Sequence, residues 1–157
     1  MSKTISFNLS TKAIMQEIYA ISALRCLNNG SKRPAILTRD RAPALRLLIK
    51  DAFAFIIMKF ISYVENCNLN DTVINDDEDM ILSVDMRMSD EIADNVAHTM
   101  RITLEHAIAA YALHICYIGL EDDTSNQYNI VAQNEVDLME QMLSASSFQL
   151  TNIIPRY

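Results

Sequence analysis

The sequence predicts a mainly α fold of the α+β class: a four-helix core around one buried central helix, with a small two- or three-stranded sheet. Three observations carry that expectation. The chain has 157 residues, the size of a single domain, and a chain of that size buries roughly two-thirds of its unfolded surface. It holds only two glycines and three prolines, too few for a turn-rich β-sandwich or a glycine-rich phosphate loop. Its most apolar stretch, residues 43–66, repeats apolar side chains at helical steps. The expected organisation is one helical domain over residues 1–157 with extended N- and C-terminal segments.

Taken in order, residues 4–10 alternate Ile5, Phe7 and Leu9 with polar neighbours, the pattern of a strand with one buried face. Ser10 or Thr11 then offers a hydroxyl to the free N–H groups of a helix carrying Ile14, Ile18, Ile21, Leu24 and Cys26. That helix stops at Asn28, Asn29 and Gly30, a left-handed exit. Residues 31–41 are polar and basic, and Pro43 suits the first turn of the next helix.

In the apolar stretch, Leu45, Leu48, Ile49, Ala52, Phe53, Ile56, Phe60 and Val64 form one stripe, while Leu47, Phe55, Ile57, Met58 and Ile61 fall outside it. The expectation is a single helix of about six turns, wrapped by other helices or by a second subunit. It does not read as a membrane span. Lys59 interrupts the run, and a helix over residues 52–64 would reach only about 20 Å of the roughly 30 Å required.

Residues 71–79 form an acidic loop, and residues 80–88 a second alternating strand with Met80, Leu82, Val84, Met86 and Met88 on one face. Ser89 caps the longest helix, expected to reach Ile118 and to end at Gly119, with an alanine-rich apolar face. Residues 121–133 are polar and read as a loop, Asn134 as the cap of a short last helix, and residues 147–154 as extended, a candidate third strand. A strand, a serine cap and an amphipathic helix occur twice, at residues 4–18 and 81–96. Two ordinary helix entries account for this better than a true repeat, which would pair the strands about a pseudo-twofold axis.

No catalytic motif stands out. His98, His106 and His114 are eight residues apart on one expected helix, so their rings drift around it by about 80° per step and cannot share a metal. Asp94, His98, Arg101 and Glu105 share a helical face that could supply acid and base, but a solvated face explains them better. The acidic loop lacks the glycine of an EF-hand loop. Cys26, Cys67 and Cys116 are odd in number and unclustered, hence expected to be reduced and mostly buried thiols. The nine methionines read as core or interface filler. No cofactor and no metal is implied.

Charge is more informative. The chain carries a net −7, yet residues 25–50 hold seven lysines and arginines against Asp40 alone, and residues 51–157 hold four against eighteen acids. The basic segment, represented by Lys32, Arg33, Arg39, Arg41 and Arg46, has three readings. It could neutralise phosphates of a nucleic acid, which is not favoured because it lacks interleaved aromatics. It could meet the acidic surface of a second copy. It could be neutralised within its own chain.

The expected function is a non-enzymatic structural or interaction subunit of a homo-oligomeric or multi-protein assembly, of which a ring or connector component of a virus-like particle is one concrete form. The alternative is a small acidic binding or immunity-type protein that neutralises a basic partner through Asp76, Asp77, Glu78 and Asp79. Other protein subunits are the expected partners, and a membrane is not. Residues 1–12 lack the apolar core of a cleavable signal, so the expected location is the cytoplasm or a particle assembled there.

Overall fold

The computed structural model describes residues 2–30, 32–68, 79–90 and 94–144. Four helices lie with a three-stranded antiparallel sheet of strands β1 (Ser2–Ser10), β2 (Val64–Asn68) and β3 (Ile81–Ser89), in the spatial order β1-β3-β2. The fold is the mainly α, α+β arrangement that the composition predicts.

The sheet buries one face because its strands alternate. Phe7 lies opposite Val84 and Leu9 opposite Leu82, and all four are buried, as are Met86 and Met88. The other face is polar. There Glu65 accepts hydrogen bonds from the Thr4 hydroxyl and from Arg87, whose Nη2 lies 2.6 Å away, so one carboxylate ties all three strands together. The Thr4 bond first, then Arg87, holds the Glu65 carboxyl below the usual carboxylate range. β1 and β3, the two strands that precede helices, pair antiparallel from Ser2 opposite Ser89 to Ser10 opposite Ile81.

Helix α1 (Thr11–Asn29) begins and ends as its sequence indicates. Ser10 Oγ accepts from Ala13 N at 3.1 Å, and Gly30, at φ 63°, sends its N–H back to the Cys26 carbonyl. Two short 3₁₀ turns, Ala35–Leu37 and Arg39–Arg41, then lead into helix α2 (Ala42–Met58), and the fully buried Leu37 pins them to the core.

Two boundaries differ from the sequence expectation. α2 does not continue to residue 66. Lys59, Phe60 and Tyr63 donate to carbonyls three residues back, which tightens the helix end into turns, and buried Phe60 anchors the change of direction. The chain then enters β2, where the Tyr63 carbonyl already accepts from Arg87 N at 2.7 Å. The third strand is therefore 64–68; residues 147–154 lie outside the described residues.

Helix α3 (Asp94–Tyr117) is the longest described element, and helix α4 (Asp122–Ser144) follows after only a short turn at Gly119. Residues 122–133 are thus helical and not a loop, and Asn134 lies inside α4 and not at its cap. Asp122 and Asp123 occupy its first turn, where the helix dipole favours acids. Its inward stripe continues Val136, Met139 and Leu143 backward through Ala132 to Thr124 and Ser125. Those polar or small residues hide an inward face from a reading based on hydropathy. α3 packs against α4, α2, α1 and β1.

Candidate interaction surface

The basic segment is shaped by what its ends are tied to. Gly30 turns the chain away from α1, Pro34 and Leu37 are buried, and Lys32, Arg33, Arg39 and Arg41 are left exposed. Arg46 is different: it lies on the inward side of α2 and is buried. Arg25 is also drawn inward, hydrogen-bonded to Thr124, 3.9 Å from Glu121 and 5.8 Å from the Tyr128 ring, so it clamps α1 to α4. Arg33 lies 6.0 Å from the ring centre of Tyr19. Together with Thr38 and Arg39 it borders a cleft of about 540 Å³ whose other wall is Tyr19, Ala20 and Ala23 of α1.

Of the acidic run, Asp76, Asp77 and Glu78 lie outside the described residues. Asp79 is placed, and it serves the fold. Its carboxylate accepts from the Ser10 hydroxyl, from Thr11 Oγ1 at 3.2 Å and from Lys12 N at 2.9 Å. It therefore satisfies donors at the start of α1 that no helical carbonyl can reach. Thr11 in turn accepts from Met80 N, stitching the entry of β3 to the entry of α1.

The polar row on α3 resolves into local pairs. Arg101 meets Glu105 at 2.7 Å and donates toward His98 Nδ1 at 3.4 Å, while the side chain of Asp94 is outside the description. The three histidines go to three different neighbours. His98 stays beside Arg101. His106 reaches Glu17 of α1 at 3.5 Å. His114 and Ser125 bind each other across the α3–α4 turn, at 2.8 Å through the serine hydroxyl and 2.9 Å through its carbonyl. Ser125 is buried and its hydroxyl also lies 2.8 Å from the His114 carbonyl, which makes the pair a helix clasp. Among the described residues, no group of three His, Cys, Asp or Glu is placed to hold a metal ion.

Burial raises the carboxyls of Glu17 and Glu135 above the usual range, against the attraction of His106. It pushes the Cys116 thiol up to about 12, so this thiol stays protonated at neutral pH. Cys67 lies exposed on β2, and Cys26 and Cys116 are half-buried, so the thiols are less enclosed than the composition suggests.

The largest departure from the sequence reading concerns the outer side of α2. Leu47 is 56% exposed, Phe55 43% and Met58 62%, and Ile61 just beyond the helix is 59% exposed. Eleven residues bring a helix back to within about 20°, so Leu47 and Met58 lie along one line. The Phe55 ring stacks on Tyr111 of α3 at 4.3 Å and 5°, and the Lys59 ammonium lies 4.8 Å from its centre. The apolar surplus is therefore not enclosed within one chain; it faces outward as a strip.

Tyr19, Ala20 and Ala23 of the cleft are not singled out by the sequence, because attention falls on the isoleucines of the opposite side of α1. One small hint is present: an aromatic residue followed by two alanines on the side of the helix away from Ile14, Ile18 and Ile21.

No protein-family model, no curated protein and no solved structure matches this chain.

Proposed function

We propose that this protein is a non-enzymatic interaction subunit that associates with copies of itself, or with other proteins of one assembly, through the outer face of α2. One observation carries the reading: Leu47, Phe55, Met58 and Ile61 present large apolar side chains to solvent on and just after one helix. Single exposed apolar residues are ordinary, but a run of them on one element marks a contact surface. Fully burying an exposed side chain of this size contributes about 1.5–3 kcal/mol, and these four, roughly half exposed, leave about half of that unrealised.

A second copy is the occupant that the charge distribution favours. The exposed cations ahead of α2 and the strongly acidic remainder of the chain are opposite in sign, which steers encounter and fixes register between copies. Asp79 is already committed to the start of α1, so the reading in which an acidic loop captures a basic partner gains no support from the one loop residue that is placed. Among the described residues no helix is long and apolar enough to cross a membrane, and assembly in the cytoplasm is part of the proposal.

The test is light scattering on the eluting protein over a wide concentration range. The wild type is expected to show a mass above 17.8 kDa that grows with concentration. Leu47→Glu with Met58→Glu is expected to return it to the monomer mass with an unchanged far-ultraviolet spectrum. A strict monomer at the highest attainable concentration overturns self-association.

A further inference from the structure

We propose that the cleft between α1 and the basic segment binds a small organic phosphate monoester. Arg33 and Arg39 would grip its phosphate, and Tyr19, Ala20 and Ala23 would receive its apolar body. The inference does not rest on the assembly reading.

The cleft measures about 540 Å³, within the range of small-molecule sites. Its cations are set apart by what they lack. Arg25, Arg87 and Arg101 each lie against a carboxylate of this chain. Among the described residues Arg33 meets only the Tyr19 ring, and neither it nor Arg39 has a carboxylate partner. The neighbouring acid, Asp40, is exposed and is not part of the cleft lining.

The hydroxyl of Tyr19, whose ring centre lies 6.0 Å from the Arg33 guanidinium, is shut off from solvent without a hydrogen-bond partner. A buried unpaired hydroxyl is uncommon in folded proteins, and a phosphate oxygen would satisfy it once Arg33 swings from the ring to the ligand. The Thr38 hydroxyl already donates to the Ala35 carbonyl at 2.8 Å, so it holds the turn that presents Arg39. On the opposite wall, Ala20 and Ala23 are exposed and small, which lets a flat apolar body approach the helix closely.

The charge selects the head group. Guanidinium forks match oxyanions bidentately, and a phosphate monoester dianion brings three terminal oxygens and about twice the charge of a carboxylate to the two arginines.

The experiment titrates the full-length chain with phenyl phosphate, followed by calorimetry and by backbone amide shifts, with inorganic phosphate and benzoate as separate arms. Saturable binding of phenyl phosphate is expected, with shifts confined to residues 19–23 and 33–39. The other two ligands are expected to bind at least about tenfold more weakly. Arg33→Gln with Arg39→Gln is expected to weaken phenyl phosphate by at least about tenfold. Ala23→Leu, which fills the wall and leaves both cations in place, is expected to weaken it too. All three positions are exposed, and an unchanged amide spectrum elsewhere checks the fold. Absence of saturation, equal binding of inorganic phosphate or benzoate, or unaltered affinity in the variants overturns the proposal.

Discussion

Helices α2 and α3 invert the order that their sequences suggest. α2 is the more apolar, yet it leaves Leu47 and Met58 more than half exposed. α3 carries His98, Arg101, Glu105 and His106, yet Ala107, Ile108, Ala109, Ala110, Ala112 and Leu113 are all buried. The difference lies in neighbours and in size. α3 is flanked by α4, α1, α2 and β1, and its alanines let those elements approach on several sides. α2 has large side chains all round but cover on its inner side only. Burial follows from how much of a helix its neighbours cover: α2 is reached by α1, α3 and the two short 3₁₀ turns and still keeps one side open, and hydropathy by itself does not supply that cover.

That contrast can be broken by paired truncations. Leu113→Ala removes a fully buried side chain from α3, and a loss of about 2–5 kcal/mol in denaturant unfolding is expected. Met58→Ala, measured at low protein concentration, should stay within about 0.5 kcal/mol of wild type. A comparable loss at both positions would mean that the α2 strip is covered even in the free chain. A smaller effect is expected at the joint between the two strand–helix entries. Asp79→Ala strips an accepting carboxylate from the start of α1 and should cost about 1–2 kcal/mol, with faster amide exchange in the first turn of that helix.

The smallest effect concerns the contact of α3 with α1. Burial raises the Glu17 carboxyl above its ordinary value of 4.5, with the attraction of His106 opposing. An acid whose folded-state value is raised contributes its stability below the unfolded value, and that contribution is lost as pH rises through the folded one. At neutral pH the charged form is therefore a net cost to the fold, and Glu17→Gln should raise the melting temperature slightly there. Below the ordinary carboxyl value both side chains are neutral, and the advantage of the variant should vanish. Thermal unfolding of both proteins at the two pH values measures it, and a lower melting temperature for the variant at neutral pH would show that the His106 contact outweighs burial.

Several elements were legible because their signal is local. Alternation at Ile5, Phe7 and Leu9 and again from Met80 to Met88 marks two strands, and a strand shows its buried face at every second residue. Ser10 and Gly30 bound α1 through backbone geometry that involves only adjacent residues. The end of α2 was not legible, since Phe60 and Val64 fit the helical stripe as well as they fit a turn and a strand. What ends the helix is the availability of β3 as a pairing partner, with Val64 set opposite Met86. The start of α4 was hidden for the opposite reason. Thr124 and Ser125 pack inward through hydrogen bonds to Arg25 and His114 and not through apolar surface.

For the candidate sites, the surplus of cations over residues 25–50 could be counted, but not their division into buried Arg46, clamped Arg25 and the two arginines at the cleft. The sequence by itself determined the class of the fold, the two ends of α1, the two long strands and the charge asymmetry, because each is read from composition or from residues within a few positions of one another. Only the tertiary structure decided which apolar face stays in water, which acid caps a helix and which cations remain unpaired. Those outcomes depend on contacts between residues distant in the chain, such as Asp79 with Ser10 and Arg25 with Thr124, and each contact removes a group from the surface that composition alone would assign to it.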